Sequence, residues 1–431
     1  MTQFLLCLAM LLGGTTAAAA SSYQVGPSRK QHALQEVAPL LQPGDVVEVD
    51  GDAVYPGGVT FTRSGTAEKP ITVRGVRRNG KRPVISGGKM AVHFDRSNHY
   101  LFEGFEIEKG TDRGIRYRAA FTTIRDVYLH DCPDQGILGS DHDTGSLTLE
   151  YVEVARSGGE PGGHSIYMST DPVAYPGAVF RMQHCYVHDC TWGNAVKTRA
   201  ERNEIRYNWL ESDVLRALVL IGRDNERGPR PMNSDVVGNV LICRSDLPVV
   251  QIGHDGKEYG SRGRYRIVNN TFLVSEKCPD AIQARSELES VEMHNNVFYR
   301  LGGGPVTLLA EDTAQWTKGG RICAGQNNWV PEGSACPPEW RGTIVGRDPG
   351  FRNLAAFDLR PRPGSPLIGA GARKLESPVG YPFPQPFFPP AFLPPDRRAE
   401  AVGAARPRPV RDPIDLGAYA YQAEGPGLRA R

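Results

Sequence analysis

The chain has 431 residues, 40% of them hydrophobic, and is therefore long enough to bury a large core. Its 50 Lys and Arg residues nearly balance its 48 Asp and Glu residues, which leaves a formal net charge of +2. This balance provides no basic excess for nucleic-acid binding, so no nucleic-acid partner is predicted.

Residues 1–20 predict a secretory signal peptide. An apolar run from Phe4 to Leu12 is followed by small residues that end in an Ala-x-Ala pattern before Ser21. The run is too short to span a membrane, and no later stretch approaches the roughly 20 apolar residues that a spanning helix needs. We therefore expect an exported protein, secreted or periplasmic, without a membrane span.

The segment "SRKQHALQEVAPLLQPGDVVEVDG" predicts a short amphipathic helix followed by a first strand. The apolar face of this helix consists of Leu34, Val37, Leu40 and Leu41. Pro43 and Gly44 end the helix, because neither residue continues a helix well. A helix of this kind is suited to cap the open end of a stacked core.

A series of similar units follows, each with two or three short strands. No unit shows an apolar period of 3.6 over ten residues, so the repeating element is not a helix. One Asn returns at spacings of 31, 31, 26 and 32 residues, and the series is Asn208, Asn239, Asn270, Asn296 and Asn328. Short strands in every repeat predict an all-β solenoid, namely a right-handed parallel β-helix. We expect the Asn side chains to form a buried ladder, since buried polar groups need partners.

Two segments, "YLHDC" at residues 128–132 and "YVHDC" at residues 186–190, repeat a His-Asp-Cys pattern. They occupy equivalent positions two coils apart, a separation of about 10 Å at the usual strand spacing. That distance is too long for a disulfide or a shared metal. We expect Leu129, Val187 and the cysteines to point inward and the histidines to face outward.

The cysteine spacing does not predict a zinc site, because the sequence contains no CxxC motif. No metal site is predicted. Cys323 and Cys336 bracket a short loop, so a disulfide between them in an oxidising compartment and two free thiols are both open alternatives.

The end of the chain differs in composition from the repeats. "YPFPQPFFPPAFLPP" is rich in Pro, which cannot donate ladder hydrogen bonds, so it is expected to lie extended on the surface before "DLGAYAY" docks. The predicted organisation is a signal peptide over residues 1–20 and a parallel β-helix domain with an N-terminal cap over residues 21–365. A Pro-rich extended C-terminal segment, residues 366–431, packs on the solenoid.

Several segments resemble exported bacterial proteins of the pectin-lyase-like β-helix superfamily: "LQPGDVVEVDGDAVYPGGVTF", "GSPLIGAGA" and "DLGAYAY". "GHSIYMS" and "GNAVKTRAERNEIRYNWLES" look more narrowly like a bacterial β-helix group, loosely similar to the alginate lyase and chondroitinase B family. The resemblance implies that the Asn turn lies between the second and third strands of each coil. It also implies that polysaccharide binds along the sheet formed by the first strands.

In this sequence those first strands include "GIRYR", "HSIYMS" and "NAVKTR". Alternation along a strand divides their residues between two faces. The core face is expected to contain Ile115, Tyr117, Ile166, Met168, Val196 and Thr198. The outward face is expected to contain Arg116, Arg118, Ser165, Tyr167, Lys197 and Arg199. This outward set includes cations and no carboxylate, which favours an acidic polysaccharide as the partner of a protein expected to be monomeric.

Cleavage of a uronate polymer by β-elimination needs neutralisation of the carboxylate, a base for the C5 proton and a proton donor to the leaving oxygen. Lys197 is predicted as the base, because an adjacent cation such as Arg199 favours the neutral amine. It also aligns with the Lys base of the lyase family that the chain resembles. Tyr167 is the predicted proton donor, and His164 is a candidate to share the acid-base work.

Arg199 and Arg118 are predicted to hold the substrate carboxylate, and Arg116 extends the same substrate-binding face. The resemblance places a catalytic Arg in the coil after Lys197, where the nearest candidates are Arg216 and Arg223. The acidic residues that bind calcium in the resembled family have no counterparts before Lys197, so no cofactor is predicted.

Two other functions remain open. The same basic face suits a non-catalytic carbohydrate-binding or surface protein. A uronan C5-epimerase would run the same proton abstraction, and Asp141-His142-Asp143 faintly resembles an epimerase motif, although the same residues are also suited to cap a turn.

Overall fold

The computed structural model describes residues 20–159, 161–223, 231–256, 260–311, 316–317 and 319–423. The predicted signal peptide therefore lies outside the described residues except for its last position. No helix among the described residues combines the length and apolar character needed to cross a bilayer.

The described chain folds into a right-handed parallel β-helix, as the repeats predict. From Val46–Asp50 to Thr307–Glu311, each coil adds one short strand to sheet 1, then one to sheet 2, then one to sheet 3. Sheet 1 comprises Ser22–Val25, Val46–Asp50, Ile71–Val76, Tyr100–Glu103, Thr122–Arg125, Leu147–Glu150, Val179–Gln183, Arg202–Arg206, Asn233–Val237, Arg264–Val268, Ser290–His294, Cys323–Gln326 and Trp340–Arg341. Sheet 2 comprises Val54–Pro56, Val84–Ser86, Glu106–Glu108, Tyr128–His130, Glu153–Ala155, Tyr186–His188, Trp209–Ser212, Val240–Cys243, Thr271–Val274, Val297–Arg300, Trp329–Pro331 and Ile344–Gly346. Sheet 3 comprises Val59–Phe61, Met90–Asp95, Arg113–Arg118, Gln135–Gly139, His164–Ser169, Val196–Arg199, Leu218–Ile221, Val250–Gly253, Asp280–Arg285 and Thr307–Glu311.

A single apolar column fills the space between the three sheets. It contains the inward residues of every coil, among them Phe61, Phe94 and Phe102, which are fully buried and contact one another as aromatic rings. Each such side chain contributes about 1.5–3 kcal/mol by leaving water. After the last coil, Phe351–Asn353 and Asp358–Pro361 form a short antiparallel pair.

The predicted Asn ladder is present between sheets 1 and 2. The Nδ2 of Asn208 donates to the Oδ1 of Asn239 at 2.9 Å, and Asn239 donates in the same way to Asn270. Asn270 donates to Asn296 at 3.1 Å, and Asn296 donates to Asn328 at 3.0 Å. All five side chains are fully buried. The ladder satisfies polar groups that every coil would otherwise bury unpaired.

The N-terminal cap is partly as predicted. The helix spans Leu34–Val37 and continues as a 3-10 turn over Ala38–Leu40. Leu34, Val37 and Leu41 are buried, but Leu40 is 52% exposed, so its assignment to the apolar face was wrong. The change to a 3-10 turn, which contains Pro39, rotates Leu40 away from the core. A strand at Ser22–Val25 that the sequence did not suggest joins the edge of sheet 1.

The entry of the chain into sheet 3 corrects one predicted orientation. Ser165 points inward, where its Oγ donates to the carbonyl of Ser157 at 3.2 Å. Ile166 also points inward, so two successive residues face the core at the start of this strand. The alternation begins only after this bend, which is why the sequence pattern placed Ser165 on the wrong face. The same bend leaves His164 on the outward side.

The repeated His-Asp-Cys segments place their apolar residues in the core and their histidines on the outward side, as predicted. Leu129, Val187 and Cys132 belong to the core, as predicted. His130 faces outward on sheet 2, where its Nδ1 lies 2.7 Å from Asp131 and its Nε2 lies 3.1 Å from Glu106. The second histidine, two coils later, makes the equivalent contacts with its own carboxylates.

All cysteines within the described part of the chain are free thiols. A disulfide between Cys323 and Cys336 is therefore not present. Cys323 lies in a sheet 1 strand with its side chain in the core, where burial raises the pKa of its thiol.

The C-terminal segment covers the outward faces of sheets 1 and 2 along the later coils. On sheet 1, Arg202 donates to the carbonyl of Pro384 at 2.9 Å, and Asp235 accepts from the backbone N–H of Phe387 at 2.7 Å. On sheet 2, Leu416 packs in an apolar cluster with Trp209. The exact division at residue 365 stays a prediction.

His294 makes the fold sensitive to acid. It faces outward from sheet 1 and is fully buried, and neither ring nitrogen has a hydrogen-bond partner among the described residues. Burial, with a smaller contribution from Arg266, lowers the pKa of His294 to about 3. A histidine that stays neutral when folded stabilises the fold above its unfolded pKa of about 6.5, and this stabilisation is lost as the pH falls from there toward 3.

We expect His294→Leu to reduce the loss of stability between pH 7 and pH 5 by about 2 kcal/mol, because the unfolded chain binds a proton that the folded wild type excludes. Urea unfolding at the two pH values measures this difference. His142→Leu, at an exposed position, is the control and should leave the pH dependence unchanged. An unchanged pH dependence in the His294 variant would contradict the assignment.

Candidate functional site

Sheet 3 is formed by the strands that the sequence analysis calls the first strands of each coil. Its outward face brings Tyr167 and Lys197 together, as predicted. The two residues are paired in register on adjacent strands, His164–Ser169 and Val196–Arg199. The Nζ of Lys197 lies 5.4 Å from the centre of the Tyr167 ring, which is within the range of a cation–π contact. Val196 belongs to the core, so alternation directs Lys197 outward.

Lys197 and Arg199 bind one carboxylate. The Nζ of Lys197 donates to the Oδ2 of Asp255 at 2.8 Å, and the Nη2 of Arg199 donates to the same oxygen at 3.0 Å. The side chain of Arg199 is only 3% exposed and also donates to the carbonyl of Gly222. The outward strand residues named in the sequence analysis include no carboxylate, but Asp255 adds one to this face from a loop.

Gln251 completes the contacts of this carboxylate. It lies on the strand Val250–Gly253, and its Nε2 donates to the Oδ1 of Asp255 at 3.0 Å. Burial alone would raise the pKa of Asp255, but Lys197 and Arg199 outweigh burial and hold that pKa below its usual range. Asp255 is thus an anion that the surrounding donors stabilise.

His164 lies on the same face and is neutral. Its Nδ1 accepts the backbone N–H of Asn194 at 3.1 Å, which assigns the ring proton to Nε2. Burial, with smaller contributions from Lys197 and Arg199, lowers the pKa of His164 to about 3. Its ring meets the Tyr167 ring edge-on, with centroids 5.6 Å apart. At neutral pH His164 is therefore a hydrogen-bond donor through Nε2 rather than a cation.

Arg216 and Arg223 occupy different environments. Arg216 precedes the strand Leu218–Ile221 and donates to the Oε1 of Gln283 at 2.8 Å, and burial lowers the pKa of its guanidinium. Arg223 is buried after the same strand, where it donates to the carbonyl of Thr170 at 2.8 Å. Arg216 thus remains on the outward side with the Asp255 contacts, whereas Arg223 has a clear role in holding backbone.

Arg116 and Arg118 lie further along sheet 3 toward the N-terminal coils. Arg118, predicted to hold the substrate carboxylate, forms an ion pair with Asp143. Arg116 has no ion-pair partner within the described ranges. Its register runs through Leu138 to Tyr167, which places it two strands from Tyr167 on the same outward line.

The structure favours a turn for Asp141-His142-Asp143. Asp143 has a φ of 55°, and its backbone N–H donates to Asp171 at 3.0 Å. Its carboxylate is engaged by Arg118. These contacts are those of a residue that shapes a turn.

A different part of the molecule offers metal-type ligands. Among the described residues, Glu106, Glu108 and His130 place ligand atoms within 4.8 Å of one another on sheet 2. This group lies on a different sheet from Lys197, and its His already bonds Glu106.

Sequence reasoning found Lys197, Arg199, Tyr167 and His164 but missed Asp255 and Gln251. Gln251 lies on the strand Val250–Gly253, in register with Lys197 through Val219, and therefore on the outward face. Asp255 follows in the loop "GHDG", whose path depends on contacts with other coils. The one signal in the sequence for Asp255 and Gln251 was that Gln251 is a polar residue at an outward position of a strand.

No protein-family model matches the sequence, and no curated protein matches it either. Solved structures do match. The chain is 12% identical to the pectate lyase Pel9A, with a TM-score of 0.53 over 94% of this chain and 98% of that one. An alginate lyase from Paenibacillus sp. str. FPU-7 is 15% identical, with a TM-score of 0.45 over 68% of this chain and 99% of that one. The PL6 family alginate lyase AlyGC is 13% identical, with a TM-score of 0.40 over 81% of this chain and 58% of that one.

At these identities the likeness concerns the fold. Pel9A matches over nearly its whole length, so the two chains share their overall fold. The chain has a right-handed parallel β-helix fold, which it shares with the pectate lyase Pel9A.

Proposed function

We propose that this protein is a polysaccharide lyase that cleaves an acidic, uronate-containing polysaccharide by β-elimination. The observation that carries the proposal is the carboxylate bound by Lys197 and Arg199 next to the ring of Tyr167. A uronate polymer presents one carboxylate on each acidic sugar, and β-elimination requires that charge to be neutralised. The fold of this chain, shared with a pectate lyase, is compatible with the proposal.

In the proposed reaction, Arg199 neutralises the substrate carboxylate, and the neutral amine of Lys197 removes the proton from C5. The electron pair of the C5–H bond forms the C4=C5 double bond, and the C4–O bond breaks. Tyr167 gives its phenolic proton to the leaving oxygen. His164 donates from Nε2 to the reacting sugar. The products are a shortened chain and an unsaturated sugar at the new non-reducing end.

One contact favours a second candidate, a non-catalytic carbohydrate-binding protein. Lys197 donates to the carboxylate of Asp255, and an ammonium group in such an ion pair has no lone pair for proton abstraction. If Lys197 stays charged with ligand bound, the same face would bind an acidic polysaccharide without cleaving it.

The test is to incubate the purified protein with polygalacturonate, alginate and chondroitin sulfate, and to follow absorbance near 230 nm, where the unsaturated product absorbs. A lyase raises the absorbance on at least one polymer. Retardation in gels that contain the polymers, without any absorbance rise, would support the binding protein and defeat the lyase. Altered sugar composition without chain cleavage would indicate a C5-epimerase.

A further inference from the structure

Asp255 fills the position at which the proposed reaction needs a substrate carboxylate. Its Oδ2 accepts from Lys197 and Arg199, and its Oδ1 accepts from Gln251. Both oxygens of one carboxylate are therefore bound by donors on one face, two from the strand Val196–Arg199 and one from the strand Val250–Gly253, two strands further along the sheet. Charge-assisted contacts of this kind are those expected for a bound uronate carboxylate.

The exposure of the three charged groups identifies the open side of this arrangement. The side chain of Arg199 is 3% exposed and that of Lys197 is 14% exposed, whereas that of Asp255 is 40% exposed. The cations thus lie underneath, and the carboxylate lies on the side nearest to water. A carboxylate from solution would approach Lys197 and Arg199 through the space that Asp255 now occupies.

The charges around Asp255 make its replacement by another carboxylate easier than its departure without a replacement. If Asp255 moved away, Lys197 and Arg199 would lose this carboxylate at a poorly solvated position. Such a loss is costly in free energy for buried charges. An incoming carboxylate that replaces Asp255 restores the pairing, so the exchange avoids most of that cost. Arg216 also lies near enough to interact electrostatically with Asp255, and it adds positive charge to the same region.

We propose that Arg199 and Gln251, beside Lys197, form a subsite for the carboxylate of a uronic acid residue, and that Asp255 is an intramolecular competitor for this subsite. The identity of the ligand as a polysaccharide rests on the proposed function, whereas the competition does not require cleavage. A competitor that occupies the subsite for most of the time weakens the apparent affinity by the fraction of time that the subsite is open.

The test is Asp255→Asn, which keeps the size of the side chain but removes its negative charge. We expect the apparent Kd for alginate and polygalacturonate to fall by about tenfold, because the competitor is weakened. Affinity electrophoresis in gels that contain each polymer measures this change. Asp246→Asn is the matched control, since Asp246 is an exposed residue in the loop before Val250–Gly253, the strand that contains Gln251. Its Kd should stay within about twofold of the wild type, because the same change in net charge acts away from the subsite.

Two further sets of measurements identify the group that is bound and verify that the variants are folded. Dextran sulfate presents sulfate without carboxylate, and dextran presents neither, so a gain confined to the uronate polymers identifies the carboxylate. Thermal unfolding of both variants verifies that they are folded, and Asp255→Ser serves if the Asn variant is not.

The possible results separate this inference from the proposed function. Tighter binding by Asp255→Asn supports the inference even when no polymer is cleaved, in which case only the lyase proposal fails. Equal or weaker binding by the folded variant overturns the inference, even when the wild type is an active lyase. A gain of equal size on dextran sulfate, or in the Asp246 variant, also overturns it.

Discussion

Lys197→Ala is expected to lower kcat on the cleaved polymer by about 10³-fold, because a positioned general base contributes typically 10²–10⁴-fold. Lys197 lies beside the Tyr167 ring and holds a carboxylate together with Arg199, so its removal affects the reacting face directly. The measurement is the initial rate of absorbance increase at saturating polymer. Lys374→Ala, at an exposed position in the C-terminal segment, is the control and should retain full activity.

Lys197→Arg separates the role of a base from that of a positive charge. An Arg keeps the charge that pairs with Asp255, but its guanidinium stays protonated and cannot remove a proton at neutral pH. We expect polymer binding within a few-fold of the wild type, with activity as low as in the Ala variant. Substantial activity in the Arg variant would show that Lys197 acts by charge alone.

Asn270→Ala is expected to destabilise the fold by about 3–5 kcal/mol, because buried donors and acceptors lose their partners. The Oδ1 of Asn270 accepts from both the backbone and the side chain of Asn239, each at 2.9 Å. Its Nδ2 donates to Asn296 and to the carbonyl of Val236. The substitution therefore leaves several fully buried groups of neighbouring coils unpaired.

Urea unfolding followed by circular dichroism measures this loss. Asn353→Ala is the control, since Asn353 is exposed and its side chain makes one hydrogen bond, to Ala356. We expect the control to lose less than about 1 kcal/mol. A loss of similar size in both variants would contradict the assignment of the ladder as a main source of stability.

The repeat made most of the fold predictable. The Asn spacing located one turn in each of five coils, and the alternation of apolar and polar residues located the inward face of each strand. Both signals are local, because stacking forces every coil to repeat the same short-range geometry. The alternation failed at Ser165, where the chain bends into sheet 3 and the regular pattern has not yet begun.

The site was predictable where it lies on strands. Tyr167 and Lys197 were placed on adjacent strands of one outward face, since the repeat determines their register. Asp255 could not be placed in this way. It contacts Lys197 across 58 residues of sequence, from a loop whose path no periodic pattern describes.

The sequence by itself determined the architecture of the described chain and the face on which the cations lie, because both the alternation along a strand and a repeat of 26 to 32 residues are spacings along the chain. Only the tertiary structure decided which of those cations pair with a carboxylate. Asp255 and Asp143 reach the cations from loops, and loop paths are set by contacts between different coils. Electrostatic pairing depends on distance in space, and the order of residues along the chain does not encode that distance outside the repeated strands.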